Sequence, residues 1–414
     1  MAAVGAAVGL GNLFRFPALC VKYGSAFILV YIMLLVLVGL PLLFSEIALG
    51  RRFGGTASAC FKSADKKAAP LGFLCSANAF IIMTYYCVLF CFVVLAAVFS
   101  YKLNGLTGRA AADIFGGIIF PENFSPVLLC ALIFAWAAVL FCFGGADRLG
   151  KISTASVIFS SSALLLLAIF SFFKAKGQIF SFFKLNFKVL LSPSFWGDSL
   201  GQVFFSLSLM VGVLVTYGAA LSIKESIIKC GSLIAFFDLA VSLAGTVIYV
   251  SVGAEGADGL LSSFSVYPKA FSAFGALAAP ALCLFYLSVG FLCLDSVFSY
   301  LKSAVGFFTH RLGGGELPWA VGLAAVSALL GSFMLQGSGL AFALILDGKI
   351  VPFLVLSVGL LECALFSRLR GNRSLLNEIN KNAKRGLSAR FYALSVGLFA
   401  PLILAVLLIS YIFL

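Results

Sequence analysis

Charged side chains are scarce in this chain, and histidine is almost absent. Charged residues make up 10% of the 414 residues and apolar residues 62%, while His310 is the only histidine. A soluble domain is usually apolar over about half of its residues, so this composition excludes a soluble protein. The eleven cysteines lie mostly inside apolar runs without metal-ligand spacing, which indicates packing instead of a metal centre. The sequence therefore describes an integral membrane protein.

The chain also lacks a basic stripe with interleaved aromatic residues, although its formal net charge is +13. We therefore expect no nucleic-acid partner. The basic residues fall in short loops, and the positive-inside rule places the loop after Leu49 and the segment Arg368 to Arg390 in the cytoplasm, together with the N-terminus. The length allows about eleven spans of about 20 residues in a lipid bilayer.

A continuous apolar run is missing from the first seventeen residues, MAAVGAAVGLGNLFRFP. Gly5, Gly9 and Gly11 each weaken a helix by about 1 kcal/mol relative to alanine, and Arg15 at bilayer depth costs at least about 2.5 kcal/mol. The pattern predicts a discontinuous helix, whose free carbonyl groups can hold a cation and whose free N–H groups can hold a carboxylate. The alternative is a helix-packing face of small residues. That alternative leaves Asn12 and Arg15 unexplained.

A second interrupted span is predicted between Trp196 and Ser222. Its centre reads GQVFFSLSLMVG and combines glycine with polar residues. This segment lies in the second half of the chain, and its pattern predicts a second break in a membrane helix.

Acidic residues are predicted inside the membrane at Glu46, Asp238 and Asp295, with Asp347 at the end of a span. Unpaired charges in this medium are rare and costly. Carboxylate, carbonyl and hydroxyl oxygens suit a hard cation such as Na⁺. The alternative for each acid is a structural hydrogen bond to neighbouring backbone, and for Glu46 this alternative is favoured.

These motifs resemble the neurotransmitter:sodium symporters. The resemblance rests on GLGNLFRFP, followed by Gly24, Ala26, Phe27, Tyr31, Gly39, Pro41 and EIALG at Glu46 to Gly50. It implies an all-α integral membrane protein of about eleven transmembrane helices, with the 5+5 inverted repeat of the leucine-transporter fold and discontinuous helices 1 and 6. The first repeat would cover residues 1–175, the second 195–370 and the last helix 391–414.

The resemblance further implies ion sites. Sodium site 1 would consist of Ala7, Asn12, Ser206 and Asp238. Sodium site 2 would consist of Gly5, Val8, Leu292, Asp295 and Ser296. A chloride site would consist of Tyr31, Gln202, Ser206 and Ser242. Because Asp238 lies one helical turn before Ser242 and offers a compensating charge, chloride dependence stays open.

An amino acid is the substrate class that the resemblance implies, because Gly9 stands where relatives that carry monoamines have an aspartate. Its side chain would be neutral and hydrophobic. The substrate-binding residues would be Ala7, Leu10, Gly11, Ile82, Tyr86, Phe205, Ser206, Ser208, Val211, Ser296 and Tyr300. Arg15, Phe205 and Asp347 match the external gate. The internal gate departs from the family, because its arginine would precede Met1, its aspartate falls at His310 and its tyrosine at Ala220. We therefore expect either a missing N-terminal part or a different closure.

The function implied is sodium-coupled symport that imports a neutral amino acid by alternating access across a bacterial plasma membrane. The sequence contains no pairing of a nucleophile with a base, so nothing in it indicates an enzyme. The alternative is a non-transporting amino-acid sensor that retains the pocket.

Overall fold

The computed structural model describes residues 2–103, 146–175, 186–251, 263–335, 337–370 and 374–413, with short pieces between 132 and 140 and residue 179. Every regular element in these residues is helical. Eight helices in this part of the chain are long and apolar enough to cross a membrane: Ala26–Phe53, Lys66–Val98, Gly150–Lys174, Ile227–Val250, Gly275–Leu312, Glu316–Met334, Ala341–Leu369 and Ala389–Tyr411. These spans confirm the predicted all-α membrane class. The predicted fourth span, Val127 to Phe143, lies mostly outside the described residues, and the count of eleven stays a prediction.

Helices of six residues or more are numbered in chain order. They are α1 (Ala2–Ala7), α2 (Phe16–Tyr23), α3 (Ala26–Phe53), α4 (Ala57–Ala64), α5 (Ala69–Val98), α6 (Ala146–Lys174), α7 (Pro193–Ser206), α8 (Val213–Ala220), α9 (Ile227–Val250), α10 (Ser263–Ser272), α11 (Ala278–Leu312), α12 (Glu316–Met334), α13 (Gly337–Ile345 and Val351–Arg370, joined by the π-turn Leu346–Ile350), α14 (Ser374–Asn380) and α15 (Ala389–Tyr411).

Two helices are interrupted where the sequence predicts it. The first, α1, ends at Ala7, and the chain bends at Val8 and Gly9 before a π-turn at Gly11–Arg15 leads into α2. The second, α7, is separated from α8 by six residues in which Ser208, Met210 and Gly212 have φ of 51°, 66° and 71°. Both predicted discontinuities are confirmed.

A buried acid supports the second break. Left-handed backbone costs a residue other than glycine roughly 1–2 kcal/mol, and the break places Met210 there. The Met210 N–H donates to Glu46 Oε1 at 2.9 Å, and Glu46 is fully buried. Glu46 therefore pairs with backbone, as the structural interpretation of this acid predicts.

Glycines bring α3 and α8 into backbone contact. A Cβ on Gly50 would lie 1.9 Å from the Val215 carbonyl oxygen, and a Cβ on Gly218 would lie 2.2 Å from the Ile47 carbonyl oxygen. Small residues allow this approach because lipid supplies no hydrophobic force between helices, so close van der Waals packing must hold them together.

The two breaks meet near the middle of the helix assembly. Helix α11 packs against α5 and α6, α1 packs against α6 and α11, and α9 packs against α2 and the π-turn that follows the first break. The polar backbone of each break is therefore surrounded by long helices, which provide the buried side chains of the site.

The sequence prediction was wrong at one connection. Asp147, Arg148 and Lys151 were predicted to form a turn, yet their backbone belongs to α6, which begins at Ala146. The helix continues through Gly150, and the acid Asp147 in its first turn is favoured by the helix dipole. The short helix expected between Glu255 and Ala278 is present as α10, and residues 252–262 lie outside the described part.

Candidate functional site

A small cavity, which has no room for a water molecule in this conformation, separates the two breaks. Its walls are formed by Ala6, Ala7, Gly9, Gly11, Asn12, Tyr86, Phe205, Ser206, Ser208, Ser296 and Tyr300. Eight of the predicted substrate-binding residues lie on it, namely Ala7, Gly11, Tyr86, Phe205, Ser206, Ser208, Ser296 and Tyr300. Leu10, Ile82 and Val211 are buried nearby but do not line it.

Aromatic rings form one wall of the cavity, and polar groups form the other. The Tyr86 ring centroid lies 6.3 Å from that of Phe205 and 5.9 Å from that of Tyr300. The Tyr86 hydroxyl lies beside the backbone of Gly11. The Ser208 hydroxyl donates to the Ala6 carbonyl oxygen at 2.9 Å and so joins the two breaks. The residues around the cavity are therefore polar on one side and aromatic on the other.

Gly9 leaves no room for a side chain beside this cavity. A Cβ there would lie 3.0 Å from Ser296 Oγ and 3.3 Å from the Tyr86 hydroxyl oxygen. An acidic side chain at this position would enter the cavity, and the glycine keeps the wall free of negative charge.

Four oxygen atoms converge on the side-chain nitrogen of Asn12. Asn12 Nδ2 lies 2.6 Å from Asp238 Oδ1, 3.1 Å from the Asp238 carbonyl oxygen, 3.2 Å from Ser206 Oγ and 2.9 Å from Ser242 Oγ. An amide nitrogen carries only two hydrogens, so it cannot donate to all four oxygens at once. Carboxylate, carbonyl and hydroxyl oxygens are those that a hard cation prefers. Here the Asn12 amide nitrogen stands among them, while Asn12 Oδ1 accepts from the Gly9 N–H at 2.9 Å. Three of the four residues predicted for sodium site 1, Asn12, Ser206 and Asp238, therefore meet, and Ala7 lies on the adjoining cavity wall.

The Asp238 carboxyl group also contacts two of the residues predicted for the chloride site. The Tyr31 hydroxyl donates to Asp238 Oδ2 at 2.7 Å, and the Ser206 hydroxyl donates to Asp238 Oδ1. Gln202 takes a different role, because its side-chain N–H donates to the Gly11 carbonyl oxygen at 3.1 Å. Two of the four predicted chloride residues, Tyr31 and Ser206, therefore already hold an anionic group of the protein.

The residues predicted for sodium site 2 meet where α1 packs on α11. The Asp295 carboxylate faces Gly5, and a Cβ on Gly5 would lie 2.8 Å from Asp295 Oδ2. The Leu292 carbonyl oxygen accepts a hydrogen bond from Ser296 at 3.1 Å, and Val8 is buried at the end of α1. Sequence reasoning missed Ser156 of α6, whose hydroxyl donates to Asp295 Oδ2 at 2.8 Å. The spacing of serines on α6 was the available signal.

An outer cavity of about 380 Å³ lies above Phe205. The Arg15 guanidinium carbon is 5.8 Å from the centroid of the Phe205 ring. Asp347 belongs to the π-turn of α13, where Arg15 acts on it electrostatically. Both side chains are described by the structure, and they form no direct ion pair. The three predicted gate residues therefore lie in one region of the structure, without an ion pair between Arg15 and Asp347.

An ion pair lies at the end of α3. Arg51 Nε lies 2.6 Å from Glu378 Oε1, and Arg51 also donates to the carbonyl oxygens of Glu378 at 2.7 Å and Glu225 at 2.6 Å. The positions predicted from the family's gate, His310 and Ala220, are exposed. Arg51 thus connects the end of α3 to α14 and to the segment before α9.

Known proteins are similar to this chain in sequence and in fold. A sequence model described as the sodium:neurotransmitter symporter family matches residues 1–113 and 108–414. An uncharacterised sodium-dependent transporter of Methanocaldococcus jannaschii is 24% identical over 98% of this chain and 87% of its own length. Another, of Bacillus subtilis, is 29% identical over 95% of this chain and 90% of its own length. The inactive sodium-dependent neutral amino acid transporter B(0)AT3 of Homo sapiens is 27% identical over 61% of this chain and 45% of its own length.

The fold is shared with a transporter of known structure. The crystal structure of MhsT in complex with L-phenylalanine matches with a TM-score of 0.84 and 22% identity, over 99% of this chain and 97% of that one. MhsT has the leucine-transporter fold, which confirms the predicted fold class. The family model spans the chain and describes sodium-dependent transporters, not enzymes. This chain therefore belongs to the sodium:neurotransmitter symporter family.

Proposed function

We propose that this protein is a sodium-coupled symporter that imports a neutral, hydrophobic amino acid by alternating access. The observation that carries the proposal is the cavity between two helix breaks, with an oxygen cluster around Asn12 beside it. Free backbone groups at helix breaks can bind the charged ends of a substrate and its coupling ion inside a membrane. Two inverted repeats over residues 1–175 and 195–370 would place these breaks opposite each other.

The polar wall would bind the charged groups of an amino acid. Its carboxylate would meet the N–H groups of Leu10 and Gly11 and the Tyr86 hydroxyl, where the following helix presents its positive dipole end. Its ammonium group would meet the carbonyl oxygens of Ala7, Phe205 and Ser208. Since the lining contains no charged side chain, a zwitterion with a neutral side chain fits better than an amine that lacks a carboxylate.

Two sodium ions would supply positive charge near the substrate. The first would be held by Ala7, Asn12, Ser206, Asp238 and the substrate carboxylate. The second would be held by Gly5, Val8, Leu292, Asp295 and Ser296. Buried acids in a membrane need such partners, and the oxygen donors are those that a hard cation prefers. The position of the Asp238 carboxylate between Tyr31 and Ser206 supports transport without chloride.

Alternating access would use different closures on the two sides. Arg15 and Asp347 would close the outer side above Phe205, and the Arg51–Glu378 pair would contribute to closure of the inner side. The protein would lie in a bacterial plasma membrane with its N-terminus in the cytoplasm, which the basic loops support.

A binding screen tests the ligand class. Purified protein would be screened for thermal stabilisation by each of the twenty amino acids, in sodium chloride and in choline chloride. We expect hydrophobic amino acids to stabilise the protein in sodium, with an affinity at least about tenfold lower in choline, a coupling of about 1.4 kcal/mol. Equal affinities in both salts would exclude sodium coupling.

Counterflow in proteoliposomes separates transport from sensing. A symporter exchanges labelled amino acid across the membrane, whereas a sensor binds without flux. The departure from the family's internal gate at His310 and Ala220 makes this the measurement that distinguishes the two functions.

A further inference from the structure

Three serines of helix α6 face the predicted second sodium site. Ser153, Ser156 and Ser160 are spaced three and four residues apart, so they share one face of the helix. All three are buried. Because α6 packs against both α1 and α11, this face looks onto the helices that carry Gly5 and Asp295.

Asp295 is a buried acid, and no basic side chain among the described residues forms an ion pair with it. Its exposed fraction is 5%, and none of the ion pairs among the described residues includes it. The hydrogen bond from Ser156 at 2.8 Å holds the carboxylate but supplies no charge. An acid at bilayer depth is costly without a cation. We therefore expect a cation beside the Asp295 carboxylate.

Ser153 supplies a further oxygen at the same place. Its hydroxyl is buried beside the Asp295 carboxylate without a hydrogen bond of ordinary geometry. Ser153 Oγ lies 2.7 Å, and Asp295 Oδ2 2.8 Å, from the position that a Cβ on Gly5 would occupy. Two oxygens therefore border the space that the glycine leaves free. Because Ser153 Oγ accepts no hydrogen bond from the described residues, its lone pairs are available to a cation.

We propose that α6 completes the second sodium site, with Ser153 Oγ as a direct ligand and Ser156 as a positioning residue for the Asp295 carboxylate. The proposal rests on the proposed function and adds a third helix to a site predicted only from α1 and α11. Hydroxyl and carboxylate oxygens are ligands that a hard cation accepts. Sodium at this site joins three helices, so its binding favours the conformation in which α1, α6 and α11 are in contact.

The test measures sodium binding without any amino acid. Thermal stability of the purified full chain is followed while choline is replaced by sodium at constant ionic strength and constant chloride. The variants are Ser153→Ala, Ser156→Ala and Ser156→Thr. Ser160→Ala is the matched control, because its hydroxyl lies on the same face of α6 but donates to the Ser288 carbonyl oxygen at 3.0 Å.

Loss of either hydroxyl should raise the sodium concentration at half-maximal stabilisation by about tenfold, the effect of losing one bond to a charged group. Ser156→Thr keeps the hydroxyl and should restore the midpoint to within about threefold, and Ser160→Ala should stay within about twofold. Ser153→Cys, which exchanges a hard oxygen for a soft sulfur of similar size, should also weaken sodium binding. It replaces Ser153→Ala if the alanine variant does not fold.

Two results would overturn the proposal, and only the second would also overturn the proposed function. If the parent protein responds to sodium and the Ser153 and Ser156 variants keep its midpoint, α6 is not part of the site, while the proposed function stands. Variants that melt earlier in choline but keep the sodium midpoint lead to the same conclusion. If the parent shows no sodium-specific stabilisation, the proposed function fails together with this site.

Discussion

Replacing Asp238 by asparagine tests whether this carboxylate substitutes for chloride. Asp238 is fully buried and accepts hydrogen bonds from Asn12 at 2.6 Å, from Tyr31 at 2.7 Å and from Ser206. Asp238→Asn removes the charge and turns one acceptor into a donor, so at least one of these bonds is lost. Hydrogen bonds to charged groups contribute about 1.5–3 kcal/mol each.

The lost charge also acts on the first sodium ion. A unit charge about 4 Å from the cation contributes about 4 kcal/mol at an effective dielectric constant of about 20. Part of this attraction is offset by the cost of desolvating the carboxylate. A net loss of about 1.4–2.8 kcal/mol is therefore reasonable, which corresponds to about 10-fold to 100-fold weaker sodium binding without chloride.

Chloride should restore the lost affinity. The hydroxyl groups of Tyr31 and Ser206 are held by the carboxylate in the parent protein, and in Asp238→Asn they become available to an anion from solution. Sodium titrations of amino-acid binding would be run in gluconate and in chloride for both proteins. We expect the parent to give the same midpoint in both salts and the variant to recover at least about tenfold in chloride.

Asp198→Asn is the matched control for this experiment. It makes the same chemical change in the outer cavity, where Asp198 pairs with the half-exposed Lys22 at 3.0 Å, and it should leave both titrations unchanged. If the parent needs chloride as much as Asp238→Asn does, Asp238 is not the substitute for the anion. A variant that keeps the parent midpoint in gluconate would refute the electrostatic reasoning itself.

Three further predictions follow from close contacts. Gly50→Ala should destabilise the protein by about 3 kcal/mol or prevent folding, because the new methyl group would overlap backbone; Gly322→Ala, at a position with open space, should leave the melting temperature within about 2 °C of the parent. Gly9→Ala should reduce amino-acid affinity by at least about tenfold while sodium alone still stabilises the protein, and a loss of both responses would point to misfolding. Arg51→Ala should cost about 3 kcal/mol, because it leaves the Glu378 carboxylate, which is only 14% exposed, without its partner. Lys302→Ala removes an exposed pair and should cost less than about 1 kcal/mol. Similar losses in both would contradict the assigned role of burial.

The sequence by itself determined the membrane class, the helix breaks and the residue types of the site. Composition is sufficient for the first, because lipid requires long apolar helices. Glycine and polar residues inside an apolar span predict a break, because they do not stabilise a continuous helix in lipid. The glycines at 5, 9 and 11 and the segment 201–212 were identified in this way, and the acids Asp238 and Asp295 were recognised by their depth alone.

The tertiary structure decided which of these groups are in contact. Asn12 and Asp238 are 226 residues apart, as the hydrogen bond between them records; the family resemblance placed them in one predicted site, and no local pattern predicts such a pairing. The serines of α6 looked like ordinary helix residues until packing placed Ser156 against Asp295. The pairing of Arg51 with Glu378 likewise depends on how α14 folds back towards α3. Periodicity reports which face of a helix is buried, whereas the partner of that face is decided by the packing of the whole chain.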